Sequence, residues 1–187
     1  MAEPSLPEKI VAIDQKLTEA RIPHAFGGAL ALAYCAEPRA TLDIDINMFV
    51  PVDRIDEVNY ALSPLGVIPL DSEEDRLALE RDGQCRIWWG RTPLDLFFAY
   101  DDVHDAMREG TRRVPFGDEE LEVLAPEHLV ICKACFDRSK DWVDIEQVLV
   151  LSEHFEVGEV DRWLHRLVGD DDPRKQRFDE LAAELRD

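Results

Sequence analysis

Positive charge is scarce in this chain. Its 187 residues carry 21 Lys and Arg against 41 Asp and Glu, a formal net charge of -20. A surface of that sign repels a phosphate backbone at long range, so nucleic-acid binding that relies on the overall field is excluded. Cationic partners and metal ions suit it, and a local basic cluster can still act at short range. Cysteine is sparse too. Cys35, Cys85, Cys132 and Cys135 are too few and too unevenly spaced for a disulfide framework, and a reduced, cytoplasmic setting is expected. No apolar run approaches the length of a membrane span, so no membrane partner is expected. The first residues, MAEPSLPEKI, lack the basic and apolar regions of a signal peptide. There is no internal repeat and no low-complexity tract. What is present, 45% hydrophobic and 33% charged residues, is the balance of a folded globular protein.

Periodicity divides the chain. Ile10, Ile13, Leu17 and Ile22 fall at roughly helical spacing. PHAFGG reads as a short strand ending at a glycine pair, and ALALAYCAE as a helix stopped by Pro38. In TLDIDINMFVP, Leu42, Ile44 and Ile46 point one way and Asp43, Asp45 and Asn47 the other, which is a strand with a polar face. A second amphipathic helix follows and ends in a Ser-Pro and Gly turn. Residues 71–82 are highly charged and read as a helix or an exposed excursion. QCRIWWGRTPLDLFFAY reads as two strands around a turn at 90–93, DDVHDAMREG as a short helix, and RRVPFGDEELEVL as a hairpin at Gly117-Asp118. From Ala125 the period is helical, over PEHLVICKACFDR and DWVDIEQVLVLSEHF, then VDRWLHRLVG and RFDELAAELR. The expected architecture is α+β: a mixed β-sheet flanked by helices over residues 1–124, then a helical lobe over residues 125–187.

The polar strand face carries the chemistry. Asp43 and Asp45, two apart on a strand, leave the same face with Cα atoms roughly 6.5–7 Å apart. Carboxylates that close repel unless a cation sits between them. Mg²⁺ accepts such oxygen ligands and keeps waters or phosphates elsewhere in its shell. Asp95, in LDLFF, repeats the pattern, with Leu94 and Leu96 turned to the opposite face. Three inward acids on neighbouring strands make a site for two metal ions, unless they only form a solvated strand face. The pair Gly27-Gly28 opens a helix, where bare backbone N–H groups and the helix dipole favour a phosphate. Arg39 and Thr41 precede the acids, and Arg39 is placed to contact phosphate or to orient a carboxylate.

KACFDRSKDWVDI supplies a second cluster. On a single helix, Lys133, Lys140, Asp141 and Asp144 fall near one stripe, within about 20° of whole turns, and Arg138 lies off it. A basic cluster facing the acids is what a triphosphate needs; the alternative is a solvated face with internal ion pairs. Cys132 and Cys135 form one Cys-x-x-Cys pair without a second pair, so buried, inert cysteines are expected rather than a zinc site. The histidines have no ligand spacing.

The elements GGALAL, R-x-T-x-D-I-D-I, LDLFF and APEHLVICKACFDRSKDWVDI together resemble the nucleotidyltransferase superfamily over about residues 26–149. Their Pro-Glu-x-Leu and Lys…Arg-x-Lys-Asp-x-x-Asp segment is most similar to the AbiEii-like branch, which includes toxins of type IV toxin–antitoxin systems. The resemblance implies that Gly27 and Gly28 hold the phosphates of an NTP. Asp43 and Asp45 would bind Mg²⁺, and Asp95 would complete the metal site or act as general base. Lys133, Arg138, Lys140, Asp141 and Asp144 match the later motif, whose basic residues approach the triphosphate. Many members have Gly-Ser where this chain has Gly27-Gly28, and many are longer. The implied activity moves an NMP from an NTP to an acceptor hydroxyl on RNA, such as tRNA, or on protein, with an antitoxin as partner. The alternatives are a cationic, aminoglycoside-like small molecule as acceptor, and a non-catalytic member that binds nucleotide or a partner.

Overall fold

The computed structural model describes residues 3–70 and 72–186. Met1, Ala2, Asp187 and Asp71, the first residue of the charged 71–82 stretch, lie outside the described residues. Helix α1 (Leu6–Glu19) starts at a capping box in which the Ser5 amide and hydroxyl both donate to the Glu8 carboxylate, at 2.8 and 2.6 Å. It buries Ile10, Ile13 and Leu17. Strand β1 (His24–Phe26) leads into α2 (Gly28–Leu32) and then β2 (Ile44–Met48). A 3₁₀ turn precedes α3 (Ile55–Leu62), and Gly66, at φ 80°, ends the turn after it. Next come β3 (Val67–Ile68), α4 (Glu73–Asp82), β4 (Gln84–Trp89), β5 (Thr92–Phe98) and α5 (Asp102–Glu109). The hairpin β6 (Arg112–Phe116) and β7 (Glu119–Val123) precedes α6 (Pro126–Phe136), α7 (Ser139–Leu151), α8 (Val157–Val168) and α9 (Pro173–Arg186).

The strands form one mixed sheet in the order β3-β4-β5-β2-β1-β7-β6. The pairs β2–β5 and β1–β7 are parallel, and the other neighbours are antiparallel. Alternation makes the two sheet faces unlike. Ile44, Ile46 and Met48 of β2 and Leu94, Leu96 and Phe98 of β5 are fully or nearly fully buried on one face. Asp45, Asn47, Asp95 and Phe97 occupy the other. Phe136, at the end of α6, meets Phe97 edge-on at 5.5 Å, so α6 overlies the polar face. The apolar core continues from the sheet through Leu129, Val130, Trp142, Val148, Leu164 and Phe178 of the later helices.

Three local expectations differ from what is seen. Helix α2 ends after five residues, at Leu32, and gives way to turns before Pro38. Asp43 sits one residue ahead of β2. The stripe drawn on a single helix through Lys133 and Asp144 does not form, because α6 and α7 are separate helices broken at Asp137, whose φ of 54° is left-handed. An aspartate tolerates that conformation better than most residues, and its Oδ1 accepts a 2.7 Å hydrogen bond from the Trp142 indole that fixes the elbow. Among the described residues, no helix is long and apolar enough to cross a membrane.

Candidate active site

The glycine turn and the acids meet. The Gly27 amide donates to the Asp45 carbonyl at 3.0 Å, and Leu124 donates to the Phe26 carbonyl at 2.9 Å, so the turn is fixed to the centre of the sheet. Gly28 is left-handed, at φ 51°, and a Cβ placed there would lie 1.7 Å from Asp45 Oδ2. Only a residue without a side chain lets the turn lie under that carboxylate. Because α2 has five residues, little helix dipole supports this turn, and its attraction for a phosphate rests on the first-turn N–H groups.

Register brings the acids together. Asp45 of β2 is the Cα partner of Asp95 of β5, which in turn is the partner of Arg86 of β4. One row across three strands thus reads Asp45, Asp95, Arg86. Burial pushes the Asp45 carboxyl up to about 6, with Asp43 and Asp95 adding repulsion and Lys133 and Arg138 opposing it. Burial alone would raise Asp43. The Thr41 hydroxyl, which donates to its carboxylate, outweighs that effect together with Lys140 and Arg86, so the Asp43 carboxyl lies below its usual range.

The basic residues divide into committed and available groups. Arg39 donates through Nε and Nη2 to both oxygens of Asp144, at 3.2 and 3.1 Å, so of the two roles open to it, it takes the orienting one. Lys133 reaches the same carboxylate at 2.6 Å and Asp141 at 3.8 Å. Arg138 donates to Asp141 at 2.6 and 3.1 Å, while its guanidinium lies 4.9 Å from the Phe136 ring centre. Asp141 and Asp144 are almost wholly buried and would be costly without these partners. Lys133 and Asp144 meet across the Asp137 elbow rather than along one helix face. Lys140 is exposed on the cavity wall and, among the described residues, has no carboxylate within ion-pair distance.

A cavity of about 1040 Å³ joins these groups. Gly28, Asp43, Asp45 and Asp95 line one part, while Phe97, Tyr100, Met107, Phe136 and Leu167 line another. Asp82 and Asp101 also border it.

The donors suit a hard divalent cation: carboxylate oxygens on adjacent strands, one raised by burial and by its neighbours' charge. As the side chains stand, no three potential ligands among the described residues converge on one point. Arg86 donates to both oxygens of Asp95 at 2.6 and 2.7 Å, and Asp43 faces Thr41. Arg86 is the one member of this row that periodicity and motif do not single out. Its signal is the two-residue turn Gly90-Arg91, which pairs Trp89 with Thr92 and so sets Arg86 opposite Asp95.

The fold matches solved nucleotidyltransferases. The antibiotic-resistance factor ANT(2'')-Ia in solution superposes with a TM-score of 0.58 at 15% identity, covering 99% of this chain and 93% of that one. Its crystal structure with adenylyl-2''-tobramycin gives 0.56 at 15% identity, over 96% of each chain. The lincosamide antibiotic adenylyltransferase LnuA, bound to lincomycin, gives 0.52 at 13% identity over 79% of this chain and 98% of that one. This is a nucleotidyltransferase-like fold. At such identities the likeness is one of fold, and neither a protein-family model nor a curated protein matches the sequence.

The four cysteines are free thiols, and all are partly exposed rather than fully buried. Lost hydration pushes Cys35 up to about 11 and Cys85 up to about 12, the latter aided by the Asp95 charge. A raised thiol stays protonated at pH 8, and each tenfold loss of acidity removes about nine-tenths of the reactive thiolate. Iodoacetamide should therefore label Cys35 and Cys85 in the native protein at least about a hundredfold more slowly than in the unfolded chain. Equal labelling rates in the two states would show the thiols to be ordinary.

Proposed function

We propose that this protein transfers a nucleoside monophosphate from an NTP to a hydroxyl of a small cationic acceptor. The observation that carries the reading is the Gly27-Gly28 turn lodged beneath Asp45, in the row that Asp45 shares with Asp95. A phosphate-admitting turn and a set of hard oxygen ligands in contact are what a metal–triphosphate requires. Asp43 and Asp45 would hold Mg²⁺, with two ions expected, and Asp95 would complete the metal site or act as general base. When bound, Mg²⁺ supplies charge neutralisation at the phosphoryl oxygens.

The chain's own residues do the rest. The backbone of Gly27 and Gly28 lets the phosphates approach. Lys140 and the exposed part of Arg138 offset triphosphate charge, and Arg39, Thr41, Lys133, Asp141 and Asp144 hold the cavity wall in place. The acceptor oxygen forms a bond to the α-phosphorus while the α–β bridging bond breaks and pyrophosphate leaves. The hydroxyl proton passes to Asp95 when that carboxylate serves as general base. Most of the acceleration comes from position and preorganised charge. Residues 1–124 carry the chemistry, and residues 125–187 close the cavity over it.

The net charge of -20 and the bordering Asp82 and Asp101 favour a cation as acceptor. ANT(2'')-Ia and LnuA were solved with such molecules, an adenylylated tobramycin and lincomycin. The second reading, an AbiEii-like toxin acting on RNA or protein with an antitoxin partner, is carried by the match from Pro126 to Asp144. The third is a non-catalytic nucleotide-binding member. Calorimetric titration of the four NTPs with and without Mg²⁺ should show Mg²⁺-dependent binding of at least one. No binding in either condition would remove the reading. With α-labelled NTP, label on an amino-sugar panel supports the first acceptor class, and label on tRNA or protein the second.

A further inference from the structure

We propose that Arg86 is a built-in counter-cation that holds Asp95 out of the metal site and must be displaced for a divalent ion to bind. The inference rests on the metal-dependent reading above. Two geometric facts carry it. Arg86 is the cross-strand partner of Asp95, itself the partner of Asp45, so its guanidinium sits at the end of the acid row. It also takes both oxygens of Asp95 in a fork, at 2.6 and 2.7 Å, leaving the carboxylates without a common focus. Its charge extends to Asp43 and Asp45 as well.

Strength decides what such a pair can do. The Arg86 side chain is 51% exposed and that of Asp95 is 17% exposed. An ion pair at such a rim contributes little to stability and is screened by salt. A divalent cation facing three carboxylates outcompetes it, because twice the charge acts on more partners. Arg86 can then swing into solvent, and Asp95 can turn towards Asp45. In the absence of a cation, Arg86 offsets part of the repulsion among the acids.

The contrast with a merely structural bridge is testable with Mn²⁺ alone, read from the loss of its free-ion paramagnetic resonance signal on titration with intact protein. Arg86→Gln should bind Mn²⁺ about tenfold more tightly than the wild type, because Asp95 no longer has to leave a charge-assisted fork before it can turn to the ion. Arg86→Lys, which keeps the charge but loses the fork, should fall between them. Arg113→Gln removes a more exposed arginine, paired with Glu120 on the β6–β7 hairpin, and should change nothing. In an Asp95→Asn background the gain from Arg86→Gln should vanish, because the contact is already gone. Thermal melts of each variant report whether the fold persists, and exposure at this position predicts that it does.

Mn²⁺ binding that is measurable in the wild type but no tighter in Arg86→Gln would overturn the proposal and leave the metal site standing. A gain that persists in the Asp95→Asn background would reduce Arg86 to a general field effect and would also overturn it. Mn²⁺ binding by none of the proteins would remove the metal reading and this inference together.

Discussion

Gly28→Ala should abolish nucleotide binding and cut transfer by at least about a hundredfold, the cost of displacing reacting groups by an ångström or so. The new Cβ would fall 1.7 Å from Asp45 Oδ2, 2.5 Å from its Cγ and 3.0 Å from its Cβ. The whole Asp45 side chain must therefore move, and its carboxyl already sits where hydration is largely lost. The left-handed φ of 51° adds backbone strain of about 1–2 kcal/mol, partly offset by the lower entropy of the unfolded alanine chain. Gly117→Ala separates the two effects. That turn has φ 63° with no heavy atom within 4 Å of where a Cβ would sit, so it carries the strain without the clash. Both variants should melt lower, Gly28→Ala by more because it adds the clash to the strain, and only Gly28→Ala should lose NTP binding. Equal retention of binding would mean that the glycine pair is an ordinary strand-to-helix turn.

Most of the fold was legible because its signals are local. Alternation at 44–48, and at 94–96 before Phe97 breaks it, marks both strands and the shared face of Asp45 and Asp95. Gly83, Gly90 and Gly117 mark turns where strands or helices end. The helical period after Ala125 is equally plain. What escaped depends on distant partners. The break at Asp137 has neither Gly nor Pro to announce it, and exists because a tryptophan five residues on reaches back to the carboxylate. The two-residue β3 is too short for any pattern and is defined only by pairing with Trp88 and Trp89. The commitment of Lys133 and Arg39 to Asp144 spans 11 and 105 residues and follows from packing, not from periodicity. Basic residues that looked available for a triphosphate are thus mostly neutralised, which leaves Lys140 as the cation with the clearest access.

The three acids should fail in different ways. Asp45→Asn should reduce transfer by about a thousandfold or more and remove Mg²⁺-dependent NTP binding, because it deletes the central charge of the row. The same variant should be more stable. The Asp45 carboxyl is raised to about 6 by burial and by Asp43 and Asp95. A carboxyl raised above its unfolded value weighs against the fold when ionised. That penalty is present above about pH 6, fades as the native state takes up a proton on the way to pH 4, and is gone below the unfolded value. Replacing it with an amide should raise stability at neutral pH on the order of 1–3 kcal/mol and flatten that stretch of the pH–stability curve. Asp43→Asn should lose NTP binding without a comparable gain, since its carboxyl is held below the usual range by Thr41. Asp95→Asn should abolish transfer yet keep NTP affinity within roughly tenfold, about 1.4 kcal/mol, because Asp43 and Asp45 remain to hold the ion and what Asp95 adds is offset by the cost of leaving Arg86. A group needed mainly as charge develops lowers kcat more than ground-state binding. Paired titrations, melts at several pH values and single-turnover assays on the three variants would distinguish these patterns. Full activity in all three would return Asp43, Asp45 and Asp95 to a solvated strand face. Loss of NTP binding in Asp95→Asn as complete as in Asp45→Asn would make Asp95 a primary metal ligand and not a base.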